Sequence, residues 1–459
     1  MNRYMDIVEK QREFFKSGFT NDINYRKKYL IKLKEALDKY EDKILYALKL
    51  DLGKSEFEAY ETEVGIVKSE IKNTIKSLEK WSAPKKVRSS LMNPFSKNRI
   101  YNQPYGVCLI LSPWNYPFQL ALMPLIGSIA AGNCSILKLS ELSPFTSGVV
   151  SEIIEEVFEK EYVAVFSGEA DEAIGLIESD VDFIFYTGNP KIGASVAESA
   201  GRRLIPYVLE LGGKSPCIID RNADLDNAAK KIVWGKFMNA GQTCVAPDYI
   251  IADRLVFLEL RDKIIHYIKE FYGEKPIKSE DYPKIINKRN FDRILNLIEG
   301  KKLLFGGEFD EESLKIEPTV LEVLGTKDKI MQEEIFGPVL PIIVYKNKEE
   351  IFEIIDKNKN PLALYLFTKD NSFEKEVIER VSFGGGCVND TIIHCTSEGM
   401  PFGGIGRSGI ENYHGKATFD AFSHKKSVVK SKKFADISMK YPPFNDKKLK
   451  LIKKVFDIL

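Results

Sequence analysis

The sequence predicts an α/β protein built around two parallel sheets, and three observations lead there. Short apolar runs alternate with helix-length stretches from Gly106 onward, a second such set follows Gly213, and the first eighty residues carry apolar positions at helical spacing. A chain of 459 residues is too long for one compact core and divides into two or three domains.

The opening helices rest on Leu30, Leu33, Leu37, Ile44 and Leu48, whose spacing keeps one stripe apolar for packing. From 87 to 105 Ser, Asn and Pro mix with alternating residues, which predicts an extended hairpin leaving the body. Strands are predicted at 107–111, 134–139, 162–166 and 183–186, then at 217–219, 249–252, 339–345 and 362–367. The tail from 447 to 459 sets Leu449, Ile452, Val455, Phe456 and Leu459 on one face and lysines on the other. Docking of that helix on the body is the expectation, with weak contact to a membrane surface as the other reading. Residues 1–84 and 106–209 are assigned to the first sheet domain and 210–395 to the second. An arm takes 85–105 and 396–443, and 444–459 form the C-terminal amphipathic helix.

Charge excludes some partners. The 67 lysines and arginines balance 66 aspartates and glutamates, so no global field favours nucleic acid, and a small neutral substrate fits better. Six cysteines contain no Cys-x-x-Cys pair and the N-terminus lacks the apolar core of a signal peptide, which predicts a cytoplasmic protein with reduced thiols. The apolar stretch 118–131 is broken by Gln119, Pro124, Gly127 and Ser128 and is too short to span a bilayer. His266, His394, His414 and His424 show no metal-ligand spacing, and no metal site is predicted.

Chemistry concentrates in Gly241-Gln242-Thr243-Cys244-Val245-Ala246-Pro247, which follows a predicted helix. A lone cysteine is often a buried structural thiol, yet Gly, Gln, Thr and Pro build a turn that exposes it. That favours a nucleophile, because a thiolate can attack a carbonyl while a separate carboxylate activates water. Glu210, followed by Gly212-Gly213 that permit close approach, is the candidate carboxylate, although an exposed strand residue would read the same way.

These motifs, with Leu209-Glu210-Leu211-Gly212-Gly213-Lys214-Ser215-Pro216, Pro113-Trp114-Asn115-Tyr116-Pro117, Glu334-Ile335-Phe336-Gly337-Pro338 and Pro401-Phe402-Gly403-Gly404, resemble the aldehyde dehydrogenases in kind and order. Cys-Val-Ala-Pro-Asp-Tyr at 244–249 and Tyr-Pro-Pro at 441–443 resemble the class 3 branch, which acts on fatty and aromatic aldehydes and is usually dimeric. The resemblance implies a variant Rossmann cofactor domain, a catalytic domain, and an arm that forms a homodimer. It implies Cys244 as nucleophile, Glu210 as base, and Asn115 with the Cys244 N–H as oxyanion donors. For NAD or NADP it implies a ribose contact from Lys138 and Glu141, a phosphate loop at Thr187, Gly188 and Gly193, and nicotinamide-side contacts from Gly212, Glu334 and Phe336. Without it, Lys138 and Glu141 read as solvated surface charges, Asn115 as a turn residue, and the loop after 183–186 as a turn with a helix cap. Leu139 follows Lys138 where that family usually has proline.

Two other strings are decoys. Gly404-x-Gly406-x-x-Gly409 spells a dinucleotide fingerprint but does not follow a strand opening a βαβ unit, and Gly213-Lys214-Ser215 lacks the leading glycine of a P-loop at Val208. The expected function is oxidation of medium- or long-chain aliphatic or aromatic aldehydes to acids through a cysteine thioester. Transfer of the acyl group to coenzyme A is the related alternative, disfavoured by Glu210, and a non-catalytic binding protein of the same fold is the distant one. Trp114, Tyr116 and Trp234 are candidates to line an apolar tunnel, with burial in the core as the equal reading for each.

Overall fold

The computed structural model describes residues 3–89, 93, 95–397, 399–432, 436 and 438–458. Met1 and Asn2 of the leader reading, Leu459 of the tail's apolar face, and parts of the arm at 90–92, 94, 398, 433–435 and 437 lie outside the described residues.

Continuous apolar runs buried on both faces make parallel sheets, and two such sheets carry the chain. The first has the order Gly409–Ile410, Tyr207–Glu210, Phe183–Thr187, Val107–Leu111, Cys134–Leu139, Val163–Ser167, with the short Gly409–Ile410 strand antiparallel and the rest parallel. The second has the order Leu303–Phe305, Thr319–Glu322, Val339–Tyr345, Tyr249–Asp253, Pro216–Ile219, Ala363–Phe367, Gly385–Val388, with Leu303–Phe305 antiparallel. The predicted strands 107–111, 134–139 and 339–345 match to the residue, and the other five fall within one residue at each end.

Helices Ile23–Lys39 and Glu41–Leu52 bury the predicted stripe, with Leu30, Leu33, Leu37, Ile44 and Leu48 all excluded from solvent. The extended hairpin is Lys85–Val87 paired with Lys97–Pro104, and Ser423–Lys430 pairs along the whole of Lys97–Pro104 as a third strand. Between Phe402 and Phe422 the chain returns to the first sheet. There helix Lys416–Ala421 packs on Gln119–Ala131, where a Cβ at Gly127 would collide with Thr418.

The expected docking of the tail is corrected. Helix Asp446–Ile458 leaves Leu449 51% and Phe456 60% exposed, because lysines on either side of the stripe hold it in water. Among the described residues no helix is long and apolar enough to cross a membrane.

Candidate active site

The strand order of the first sheet reverses at Val107–Leu111, and a parallel sheet opens a crevice past its strand ends at such a point. Leu111, Lys138, Thr187 and Glu210 lie at or beside those C-terminal ends. Opposite them stand residues that precede strands of the second sheet: Gly212, Val245, Phe336 and Leu362. All eight line one cavity of about 990 Å³, together with Asn115, Glu141, Gly188, Cys244 and Glu334. Gly193 is the one predicted site residue outside the lining.

The nucleophile turn is fixed by side-chain amides. Helix Leu225–Phe237, capped by Asp224, gives way to Asn239, Ala240 and Gly241 in succession in the left-handed region, at φ 53°, 51° and 74°. Gly241 admits no side chain, since a Cβ would meet the Gly337 carbonyl oxygen. The strained turn is held from several directions. The Asn239 amide donates to the carbonyls of Asn115 at 2.8 Å and Gln242 at 3.1 Å, and the Asn115 amide donates to that same Gln242 carbonyl at 3.0 Å. Tyr116 and Thr243 share a 2.6 Å hydroxyl–hydroxyl bond, and the Tyr365 hydroxyl donates to the Val245 carbonyl.

Cys244 is half-buried in the cavity wall, and its thiol is pushed up to about 12 by burial, with the Glu334 and Glu210 charges adding to the rise. Glu210 ends strand Tyr207–Glu210 and is 3% exposed, so the exposed-strand reading fails. Neither of its carboxylate oxygens has a hydrogen-bond partner, and burial lifts its pKa well above the ordinary range.

Across the crevice Lys138 and Glu141 pair at 3.0 Å, and the buried Thr187 hydroxyl has no partner. Asn189 caps helix Pro190–Arg203 by accepting the Ile192 N–H. Gly188 and Gly193 serve close packing, since a Cβ would strike the Tyr186 hydroxyl at the first and Leu211 at the second. Gly212 leaves room for Glu334, whose carboxylate occupies the space a Cβ would take. Burial and the neighbouring Asp248 lift the Glu334 carboxyl to about 8. Asp248 is itself ion-paired with Lys214 and accepts the Ile335 N–H at 3.1 Å, which anchors the loop carrying Glu334 and Phe336. Phe336, at φ 49°, meets Trp114 edge to face with ring centroids 5.4 Å apart. An unpartnered hydroxyl, a helix N-terminus and carboxylates able to accept ribose hydroxyls fit a dinucleotide along this groove.

The sequence profile of the aldehyde dehydrogenase family matches residues 3–428. The chain belongs to the aldehyde dehydrogenase family. It is 42% identical over 458 residues to the 4,4'-diaponeurosporen-aldehyde dehydrogenase of Staphylococcus aureus, covering 98% of this chain and 100% of that one. It is 40% identical to an aldehyde dehydrogenase of Canis lupus familiaris described as dimeric and NADP-preferring, covering 96% of this chain and 98% of that one. Among solved structures, the substrate-bound state of Staphylococcus aureus AldH superposes with a TM-score of 0.97 at 42% identity, covering 99% of this chain and 100% of that chain. The enzyme is an NAD- or NADP-dependent oxidoreductase that converts aldehydes to carboxylic acids.

Sequence reasoning missed part of this dehydrogenase's cavity wall. Ile392, Ile393, Cys395, Tyr413 and His414 line it beside Phe402, whose Pro-Phe-Gly-Gly motif was the one available signal. His394 lies 3.6 Å from both the Cys387 and the Cys395 sulfurs, and burial lowers its imidazole to about 4. The decoys resolve physically. Gly409 pairs with Glu210 as an antiparallel edge strand and the Ser408 carbonyl accepts the Leu211 N–H, so the glycine string braces the base. Lys214 is buried against Asp248.

Proposed function

We propose that Cys244 attacks the aldehyde carbonyl, that the Asn115 amide and the Cys244 N–H hold the resulting oxyanion, and that Glu210 draws a proton from water to hydrolyse the thioester. Support comes from the convergence of Cys244, Asn115 and Glu210 on one cavity, with the amide already bonded into the nucleophile turn.

Lys138 and Glu141 are assigned to the ribose at the adenine end, Thr187 and Gly188 to the pyrophosphate, and Gly212, Glu334 and Phe336 to the nicotinamide side, with Gly193 supporting the loop from behind. Bound nicotinamide supplies the hydride acceptor. Trp114 and Phe336 exclude water from that end of the groove, and Glu334 orients against the Gly212 turn. Coenzyme A transfer is disfavoured because Glu210 stands ready to activate water.

The chain is divided as the strands suggest, with the cofactor on the first sheet and the thiol on the second. The arm joins two copies into a homodimer, a reading supported by its long third strand and by the dimeric relative. The lysine-flanked stripe of helix Asp446–Ile458 supports weak affinity for a membrane surface, and the cysteine pattern supports a cytoplasmic location. Formation of NADH or NADPH with a medium-chain aldehyde, with release of free acid and no requirement for coenzyme A, tests the central reading. Strict dependence on coenzyme A would overturn it.

A further inference from the structure

Segment 54–63 reaches the cavity at Glu61 and Thr62, while Lys54, Glu58 and Glu63, outside the lining, bear on the residues that flank the catalytic turn. Lys54 and Glu63 pair at 2.6 Å with both side chains fully excluded from solvent. A buried ion pair is weak evidence for stability, because desolvation offsets most of its Coulombic gain, so its other partners carry the information. The second Glu63 oxygen accepts the N–H groups of Phe118 at 2.9 Å and Gln119 at 3.1 Å. Those N–H groups, at the start of helix Gln119–Ala131, have no acceptor within the helix and lie three and four residues after Asn115.

Two further routes run to the thiol. The Lys54 ammonium stands 4.0 Å from the centre of the Tyr116 ring, and the Tyr116 hydroxyl bonds Thr243, the residue before Cys244. Glu58 accepts the Asn239 N–H at 2.8 Å, at the first left-handed residue of the strained turn whose amide spans Asn115 and Gln242. Glu58 and Glu63 lie on either side of the start of a wide turn, Tyr60–Val64, closed by the Gly65 N–H donating to the Tyr60 carbonyl five residues back. The Glu58 carboxyl is raised to about 7 by burial, against the opposing Lys54 charge, as expected of groups enclosed together.

We infer that Lys54, Glu58 and Glu63 are positioning residues that set the separation between the Asn115 amide and the Cys244 thiol, so that thioester formation depends on them while cofactor binding does not. The inference rests on the assignment of Cys244 and Asn115 made above. Neither Glu58 nor Glu63 touches substrate or cofactor, and each acts through a backbone N–H.

The full-length enzyme tests it with Glu58→Ala and Glu58→Gln, read by the pre-steady-state NADH burst, by NAD affinity from quenching of Trp114 and Trp234, and by thermal melting. Glu58→Ala is expected to slow the burst by about tenfold or more, since small misplacements of reacting groups are costly, with NAD affinity unchanged. Glu58→Gln keeps an acceptor oxygen for Asn239 and is expected to stay within about threefold of the parent. Combined with Asn115→Ala, Glu58→Ala should add less than about threefold, because the group it positions is gone. A parental burst in Glu58→Ala, equal losses in burst and NAD affinity, or full additivity with Asn115→Ala would overturn the inference. A parental burst in Asn115→Ala alone would instead overturn the oxyanion assignment beneath it.

Discussion

The two walls that face each other across the thiol are built on opposite rules. On the nucleophile side, Asn115, Asn239, Gln242 and Thr243 are bonded to one another or to backbone, and three consecutive left-handed residues are held in place by those bonds. By contrast, Glu210 is buried with both oxygens unpartnered, and Glu334 is half-buried close to like charge from Asp248. An oxyanion donor must be in place before charge develops, and bonding fixes it there. A base that takes a proton from water must change partners, and any strong fixed partner would lower its basicity. The contrast separates preorganised groups from groups held ready to move.

Removing the nucleophile is the most severe way to break that contrast. Cys244→Ser should lower turnover by at least about a thousandfold, because a hydroxyl is far less acidic than a thiol. Equilibrium binding of NAD should persist, since serine keeps the side chain's shape and leaves Lys138, Glu141 and Thr187 untouched. Turnover within tenfold of the parent would end the assignment.

Glu210→Gln should separate the two chemical halves. The amide keeps the shape and cannot accept a proton, so hydrolysis of the thioester should fall by about 10²- to 10⁴-fold. Stopped-flow detection should then show one equivalent of NADH per site followed by a slow phase. Equal slowing of both phases would place Glu210 earlier in the cycle.

Much of this arrangement is legible in the sequence, and the illegible parts share a cause. Strands 107–111, 134–139 and 339–345 announce themselves because burial on both faces demands unbroken apolar runs. Tyr207–Glu210 does not, since it is short and ends in the charged Glu210, and Gly385–Val388 hides behind its glycines. The family resemblance groups Cys244, Asn115 and Glu210, and all three line one cavity. No periodicity could bring Tyr413 and His414 to the same wall, because a return of the chain after the arm is a tertiary event. The brace at Lys54, Glu58 and Glu63 is hidden for the same reason, in residues that read individually as surface charge.

The pH dependence sharpens the comparison further. Burial is the main cause holding the Cys244 thiol at about 12, and the Glu210 and Glu334 charges raise it more. A raised thiol pKa leaves little thiolate at neutral pH, so the rate of acyl-enzyme formation should climb as pH rises from 6 to 9, by up to about tenfold per unit. Removing the negative charge at Glu210 favours the thiolate, so in Glu210→Gln the same limb should shift to lower pH. Alkylation of Cys244 by iodoacetamide across that range measures the shift independently of turnover. A limb that moves to higher pH would mean that Glu210 activates the thiol more as a base than it opposes it as a charge.

The smallest effect tests the apolar part of the cavity lining. Ile66, Leu120, Trp234, Met238, Ile392 and Phe402 are apolar members of the lining, with Trp234 only half-buried. Apolar surface of this kind discriminates by the area it covers. Each methylene drawn from water there contributes up to about 0.8 kcal/mol, or about fourfold in kcat/KM, until the chain outgrows the apolar wall. A series of straight-chain aldehydes from two to about twelve carbons should therefore rise in near-equal logarithmic steps and then level. Phe402→Ala should flatten the steps for the longer aldehydes while leaving acetaldehyde within about twofold, because the ring's area serves only chains long enough to reach it. A flat profile in the parent would leave aldehyde oxidation intact and would remove the preference for long chains.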